Sequence, residues 1–210
     1  MEMAGLVEES IAKATDAVLA GDASAVAEIR RVDDRVDELE IEIDERVIEL
    51  LALQQPMATD LRQIVATNKV SNDLERMGDH AVNIAKAVKR LQESSAIPTV
   101  RELAEMVEVT RGMVSDALAS YVSRNPGTAR AVCETDDLVD DLKRSMFRIL
   151  VTHMLEEPRR ISASLELLLV SQNLERIADL ATNIAEDVVF LVEGVTIKHG
   201  GDPALESEED

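Results

Sequence analysis

The chain has almost no aromatic side chains: Trp is absent, and two Phe and one Tyr occur in 210 residues. Hydrophobic residues nevertheless make up 46% of the sequence, so the core must be built from Ala, Val, Leu, Ile and Met. Such side chains suit the packing of helix on helix. Glycine and proline are also scarce, at eight and five residues, so few positions are expected to interrupt a helix. The composition therefore predicts an all-α fold.

Cysteine and long apolar runs are lacking as well. The single Cys133 cannot form an intramolecular disulfide, fits a reducing compartment, and is interpreted as a small buried hydrophobe. No uninterrupted stretch of about 18 apolar residues occurs, and no basic segment followed by an apolar one opens the sequence. We therefore expect a cytoplasmic protein without a membrane span.

Basic residues are outnumbered, with 22 Lys and Arg against 42 Asp and Glu and a formal net charge of -20. Such a surface repels a phosphate backbone, so nucleic acid is not expected as a partner. Cations are the expected small ligands. An acidic surface can also have no role beyond keeping the protein in solution, and this second interpretation stays open.

The few Gly and Pro residues divide the chain into six predicted helices. A helix N-cap is expected at Asp22 or Ser24, and Pro56 is expected in the first turn of the third helix. The chain then reads as two tandem three-helix bundles, residues 1–94 and 95–200, joined by a linker at 94–98 and followed by an acidic tail at 201–210. The predicted helices span residues 3–20, 24–54, 57–93, 99–123, 128–155 and 159–193.

The two halves share an internal repeat. Residues 71–91 and 171–191 are identical at 11 of 21 positions at an offset of 100, namely Ser71, Leu74, Glu75, Arg76, Asp79, Ala81, Asn83, Ile84, Ala85, Val88 and Leu91. Apolar residues at helical spacing predict a buried seam on three of the helices. The seam residues are Ile29, Val32, Val36, Leu39, Ile43, Leu50 and Leu53 on the second helix, Leu74, Met77, Ala81, Ile84, Val88 and Leu91 on the third, and Leu174, Ile177, Ala181, Ile184, Val188 and Leu191 on the sixth.

Pairs of acids at i and i+4 recur beside these seams in both halves. Such pairs repel each other on a solvated helix unless a cation lies between them. Neighbouring helices lie about 8–10 Å apart, so acids on two helices can surround one cation. The acids are Asp33, Asp37, Glu75 and Asp79 in the first half, and Asp136, Asp140, Glu175 and Asp179 in the second. We predict that they lie outside the core and hold metal ions.

Carboxylate oxygens without thiolate suit Mg, Ca, Mn or ferric iron better than copper or structural zinc. His80 could add a nitrogen ligand in the first half only, because Leu180 occupies the matching position in the second.

Three other interpretations compete with a metal-binding regulator. The acids could form a solvated face of a metal-free helical adaptor. A ferritin-type di-iron protein is less favoured, because it needs a Glu-x-x-His pair directed into the bundle core. An enzyme is not expected, because no nucleophile and base motif, phosphate-binding glycine loop or H-E-x-x-H motif is present. His153 is interpreted as a core or boundary histidine.

The sequence resembles the PhoU family of phosphate-transport-system regulators over nearly its whole length. The resemblance rests on "QQPMATDLR" (54–62), "LERMGDHAVNIA" (74–85), "EEPRRI" (156–161), "LERIADLATNIAEDVVFLVEG" (174–194) and "HGGD" (199–202). It implies a symmetric pair of three-helix bundles whose surface clusters hold iron, zinc, manganese, magnesium or another divalent ion on the same eight acids.

The resemblance also implies a negative regulator rather than an enzyme. The implied partners are the ATPase of the phosphate ABC transporter and a sensor histidine kinase, with peripheral membrane association through them, and we expect a homodimer. Relatives usually have further turns of the first helix before "MEMAGLVEES", which leaves the role of that segment open. The two metal sites are expected to differ, because Ala178 stands in place of Gly78 and Leu180 in place of His80.

Overall fold

A computed structural model of the chain describes residues 1–94 and 100–197. These residues form six long helices: α1 Glu2–Ala20, α2 Val26–Gln54, α3 Thr59–Gln92, α4 Arg101–Ser123, α5 Pro126–Glu156 and α6 Ile161–Glu193. Short 3-10 turns at Ala23–Ala25 and Pro158–Arg160 precede α2 and α6, and the described residues contain no strand. The predicted all-α fold of six helices is confirmed. Residues 95–98 of the predicted linker at 94–98, the motif at 199–202 and the tail at 201–210 lie outside the described residues.

Local sequence explains the helix boundaries. The Asp22 carboxylate accepts from the Ser24 N–H, and the Asn125 side chain accepts from two N–H groups of the first turn of α5. Pro126 opens α5, where its missing N–H costs no hydrogen bond. The prediction for Pro56 was wrong. Ala58 has a φ of 46°, which interrupts the helix, so α3 begins only at Thr59.

α3 and α6 form the centre of the molecule. They pack antiparallel, with ion pairs from Lys69 to Asp187 and from Arg90 to Glu166 near opposite ends. α1 and α2 cover α3, while α4 and α5 cover α6. The predicted seams of α3 and α6 are buried, except that Leu91 is only partly so. The buried side chains of both halves form one continuous core.

The predicted seam of α2 is buried over only part of its length. Ile29 is fully buried, but Leu50 is 43% exposed and Leu53 is 69% exposed, so the prediction was wrong for these two leucines. The cause is helix length: α1 has 19 residues and α2 has 29, so the C-terminal turns of α2 extend past α1. Sequence periodicity shows which face is apolar but not how far a neighbouring helix reaches.

Both helical hairpins therefore end in exposed apolar side chains. At the α2–α3 end they include Leu53, Met57 and Leu61, and at the α5–α6 end they include Leu155, Ile161 and Leu165. Because α3 and α6 are antiparallel, these two ends lie at opposite ends of the central helix pair. None of the described helices has a long enough apolar stretch to cross a bilayer.

Cys133 and His153 both lie at the edge of the core. Cys133 is a free thiol that is half-buried rather than fully buried, and it packs against the edge of the core. Burial and the nearby carboxylate of Glu186 raise its pKa to about 11, so it is a weak nucleophile at neutral pH. His153 is also half-buried, in agreement with a boundary position.

Candidate metal centres

The eight predicted acids form two groups related by the repeat. The first cluster consists of Asp33 and Asp37 on α2 with Glu75 and Asp79 on α3. The second cluster consists of the repeat-related acids Asp136 and Asp140 on α5 with Glu175 and Asp179 on α6. Spacing of four residues places each pair on one helix face, and the packing of α2 on α3 and of α5 on α6 brings the pairs together.

Electrostatic coupling shows that the first cluster is assembled. Burial, followed by the charges of Asp37 and Asp79, raises the pKa of Asp33 to about 6, while the charge of Lys86 acts in the opposite direction. The pKa of Asp37 is raised by burial and then by Asp79, across the helix interface. The pKa of Glu75 is raised by burial, then by Asp79 and by Glu40. Carboxylates that shift one another's pKa in this way lie in one electrostatic site.

The second cluster is assembled in the same way. Burial, followed by the charges of Asp179 and Asp140, raises the pKa of Asp136 to about 6. The pKa of Asp179 is raised by burial and next by Glu175. α5 and α6 therefore bring their acids together as α2 and α3 do.

The exposure of the eight acids places them at the edges of the helix interfaces. Asp37, Asp79 and Asp140 are exposed, as expected. The other five are partly buried, and the Glu175 side chain is only 15% exposed. None of the eight is fully buried, in agreement with the predicted position outside the core. The five are Asp33, Glu75, Asp136, Glu175 and Asp179. The neighbouring helix covers part of each side chain, which periodicity along a single helix does not report.

The side chains are near one another without forming a coordination shell. Within residues 1–94 and 100–197, no three or more His, Cys, Asp or Glu side chains are arranged to hold one ion in these conformations. His80 faces elsewhere: its Nδ1 donates to Asn173 Oδ1 on α6 at 2.9 Å. That contact engages one ring nitrogen of His80 across the central helix pair, away from the first cluster.

The two clusters differ in their contacts with basic side chains. In the second, Lys143 Nζ lies 2.7 Å from Glu175 Oε1, and Arg176 Nη1 lies 3.4 Å from Asp179 Oδ2. Among the described residues, none of the four acids of the first cluster forms an ion pair; the corresponding Arg76 pairs with Asp73 instead.

Sequence reasoning missed Lys143. At the offset of 103 that aligns Asp33 with Asp136, Glu40 aligns with Lys143, and this comparison could have found it.

Gly78 explains the close approach of Asp33 to α3. Asp33 Oδ1 lies 3.0 Å from the position that a Cβ on residue 78 would occupy, so any larger residue would displace the carboxylate. Ala178 stands at the matching position of the second half. The two clusters therefore differ in the space beside the aspartate as well as in charge.

Comparison with known proteins gives a consistent assignment. The sequence matches the family described as "PhoU domain" over residues 1–88 and 103–188. The chain belongs to the PhoU family. This PhoU-family chain is 42% identical over 193 residues to a protein of Zymomonas mobilis and 40% identical over 199 residues to one of Aquifex aeolicus, both named phosphate-specific transport system accessory protein PhoU homolog. The matches cover 92% and 95% of this chain and 81% and 90% of those proteins.

Two crystal structures share the fold over more than nine-tenths of this chain. PhoU from Pseudomonas aeruginosa superposes with a TM-score of 0.89 at 36% identity, covering 92% of this chain and 93% of that one. The phosphate transport system regulatory protein PhoU from Streptococcus pneumoniae gives a TM-score of 0.86 at 28% identity, covering 94% of each chain. The family predicted from the sequence motifs is confirmed.

Proposed function

We propose that this PhoU-family chain is a cytoplasmic negative regulator of phosphate uptake and phosphate-starvation signalling. In this proposal a homodimer links the ATPase of the phosphate ABC transporter to a sensor histidine kinase through a metal-binding helical scaffold, and it acts by binding rather than catalysis. The family match over residues 1–88 and 103–188 carries the proposal. Relatives that match over 92% or more of this chain are named for an accessory role in phosphate-specific transport.

The donor set of the first cluster supports the metal part. Carboxylate oxygens are hard ligands, which fit manganese, magnesium or iron and also serve zinc. Asp33, Asp37, Glu75 and Asp79 would hold the ion after rotating towards it. A bound cation would neutralise their mutual repulsion and tie α2 to α3. It would thereby set the spacing of these two helices.

The exposed apolar ends of the hairpins support the partner part. An exposed apolar patch at the end of a bundle is typical of an interaction site. The family motifs at 54–62 and 156–161 lie at these two ends. We assign the ends to docking of the transporter ATPase and the kinase, which lets one scaffold contact two proteins.

The second candidate is a metal-free acidic adaptor with the same partners. It is favoured by the absence of a coordinating arrangement among the described side chains and by the Lys143 contact within the second cluster. The di-iron alternative has no such support, since the sequence contains no Glu-x-x-His pair.

A reporter strain tests the regulatory role. In a bacterium that lacks its own family member, a phosphatase reporter of phosphate starvation is active in phosphate-rich medium, and expression of this chain should repress it. The variant Leu53→Glu with Met57→Glu should fail to repress and should fail to co-purify the transporter ATPase. The matched variant Leu155→Glu with Ile161→Glu tests the other end. Continued reporter activity despite accumulation of the folded wild-type chain contradicts the proposal.

Metal analysis separates the two candidates. Protein purified without chelators should carry metal that is lost in Glu75→Gln with Asp79→Asn, a pair of nearly isosteric changes. Asp44→Asn, an exposed acid elsewhere on α2, is the control. Equal and negligible metal in all three proteins favours the adaptor.

A further inference from the structure

α2 and α5 each leave one face exposed beyond the two acid clusters. On α2 this face consists of four exposed residues at helical spacing, here called the α2 stripe: Ile41, Asp44, Glu45 and Ile48. The offset of 103 places four residues at the same positions of α5, here called the α5 stripe: Arg144, Phe147, Arg148 and Val151. Ile48 is 67% exposed and Phe147 is 57% exposed, so each stripe presents a large apolar side chain to solvent.

The two stripes lie in segments of opposite charge. Residues 38–49 of α2 contain six acids and one arginine, which gives a formal charge of -5. The equivalent residues 141–152 of α5 contain three basic residues and one aspartate, which gives a formal charge of +2. Counting the flanking Asp37 and Asp140 leaves both signs unchanged. In a chain with a net charge of -20, residues 141–152 are therefore a local basic region.

The charges at the centre of each stripe have little or no compensation within the chain. Among the described residues, Asp44 and Glu45 form no ion pair, and neither does Arg148. Arg144 pairs with Asp141, but both side chains are 69% exposed, and an ion pair in open solvent contributes little. These charges therefore remain able to attract a second surface.

The charges beside the stripes are engaged inside the chain. Lys69 shares a groove with Asp44, but its ammonium bonds to Asp187 Oδ1 at 2.9 Å. Lys143 lies beside the α5 stripe, and its ammonium bonds to Glu175 Oε1 at 2.7 Å. Neither lysine therefore cancels the difference in charge between the stripes.

The two stripes of one chain cannot meet each other. α2 packs against α1 and α3, whereas α5 packs against α4 and α6. The central pair of α3 and α6 lies between them. Contact between an α2 stripe and an α5 stripe therefore requires two molecules.

From this complementarity we propose that the α2 stripe of one copy of the chain binds the α5 stripe of a second copy. In this contact Asp44 and Glu45 face the two arginines of the α5 stripe. Phe147 is covered by an isoleucine of the α2 stripe. Opposite charges orient two surfaces, and Phe and Arg are enriched at protein interfaces. The inference assigns surfaces to the self-association included in the proposed function, and it rests on that part alone and not on metal binding.

The contact joins two different faces, so each pair of copies still has one unused stripe of each kind. Such a heterologous contact allows further copies to add or a ring to close. Each stripe covers about two helical turns, far less than the roughly 20–30 residues a side of a stable interface. The association should therefore be weak and depend on protein concentration.

Sedimentation velocity over a concentration series, in chelator and at about 0.15 M salt, tests the proposal. The chelator excludes association through shared metal ions, and the salt screens charge repulsion beyond about 8 Å. Wild type should progress from monomer to dimer and larger species. The α5 variant Arg144→Glu with Arg148→Glu should raise the dissociation constant by about tenfold or more, and so should the α2 variant Asp44→Lys with Glu45→Lys.

Mixing the two variants provides the specific test. The α2 variant and the α5 variant each carry stripes of like charge, so neither should associate with itself. In an equimolar mixture each stripe meets the opposite charge on the other variant, and association should return. A single chain with all four substitutions should also associate again, because its charges are exchanged rather than lost.

Arg30→Glu with Arg31→Glu is the matched control. Both arginines are exposed and lie outside the stripes, and the pair makes the same change in net charge as the α5 variant. It should associate as wild type does, and the helical circular dichroism of every variant should match wild type.

Two results overturn the inference: a wild type that remains monomeric at every concentration, or two variants that do not associate when mixed. If wild type is monomeric and represses the phosphatase reporter while the α5 variant does not, the α5 stripe binds a different protein. That outcome overturns the assignment to a second copy and leaves the regulatory role of the proposed function in place.

Discussion

Lys69 Nζ on α3 lies 2.9 Å from Asp187 Oδ1 on α6 and joins the two halves of the chain through an ion pair. The aspartate side chain is 3% exposed, whereas the lysine is 46% exposed and its ammonium lies 5.7 Å from the centre of the Phe190 ring. The repeat does not copy this pair: the matching positions hold Leu169 and Ala87. The ion pair is therefore a feature of the contact between halves and not of either half alone.

Lys69→Ala should destabilise the protein, because it removes a cation from a buried carboxylate. We expect the free energy of unfolding to fall by about 1–3 kcal/mol. Urea unfolding followed by circular dichroism measures the change. Lys89→Ala, an exposed lysine on the same helix, should change the free energy by less than about 0.5 kcal/mol. Equal losses in the two variants would show that the contact with Asp187 contributes little.

The stability of the protein in chelator should depend on pH through Asp33 and Asp136. The pKa of each carboxyl is about 6 in the folded state against an ordinary value of 3.8. Between pH 3.8 and about pH 6, the two carboxyls are therefore still largely protonated in the folded state but largely ionised in the unfolded state. The contribution of the two groups to the free energy of unfolding therefore falls as the pH rises through this window.

Asp33→Asn with Asp136→Asn isolates this contribution, since Asn resembles the protonated acid. At about pH 7.5 the variant should exceed wild type by about 1–2 kcal/mol after allowance for solvent screening, and the difference should vanish near about pH 4. Urea unfolding at several pH values measures it. A difference that is independent of pH contradicts the expectation, and Asp44→Asn is the control for loss of one negative charge.

Gly78→Ala should have opposite effects on stability and on metal binding. Alanine favours a helix over glycine by about 1 kcal/mol, and the Asp33 carboxylate that its Cβ would meet can rotate away. The chelated variant should therefore be up to about 1 kcal/mol more stable than wild type. Because Asp33 is displaced, Mn²⁺ affinity at the first cluster should fall.

The converse change, Ala178→Gly, should lower the free energy of unfolding by about 1 kcal/mol, which measures the difference in helix propensity between Ala and Gly at the matching position. Thermal unfolding and Mn²⁺ titration measure the two properties. A Gly78→Ala protein with unchanged Mn²⁺ affinity would show that the position of Asp33 does not matter for the ion.

Ile29→Ala and Leu53→Ala compare two residues that sequence periodicity places on the same seam. Ile29 is fully buried, so its truncation should leave a cavity and cost about 2–5 kcal/mol. Leu53 is 69% exposed, and its truncation should change the free energy of unfolding by less than about 0.5 kcal/mol. Urea unfolding of the pair measures both. Similar losses would contradict the exposed α2–α3 end.

The predictions succeeded where a property depends on neighbours along the chain. The apolar spacing through Leu74, Met77 and Ile84 identified the buried face of α3, and the repeat identified the same face of α6. The eight acids were found in the same way, and the pKa values now show that each set shares one electrostatic site. The assignment of metal to these acids stays a prediction.

The features that the sequence did not report share a different cause. Whether Leu53 is buried depends on how far α1 extends along α2. The direction of the His80 ring depends on Asn173 of α6. Whether the Glu175 carboxylate is free to bind a cation depends on Lys143 of α5. Each involves a residue on another helix. Periodicity along one helix does not report these contacts.

The sequence by itself determined the helical class, the turns, the apolar faces and the twofold repeat of acids, because helix periodicity and chain breaks are local properties. Only the tertiary structure decided which acids are covered, that Lys143 pairs with Glu175, and that Lys69 joins the halves to Asp187. Burial and ion pairing depend on side chains that meet in space from distant parts of the chain. A repeat that looks equivalent in sequence can therefore contain two electrostatically different sites.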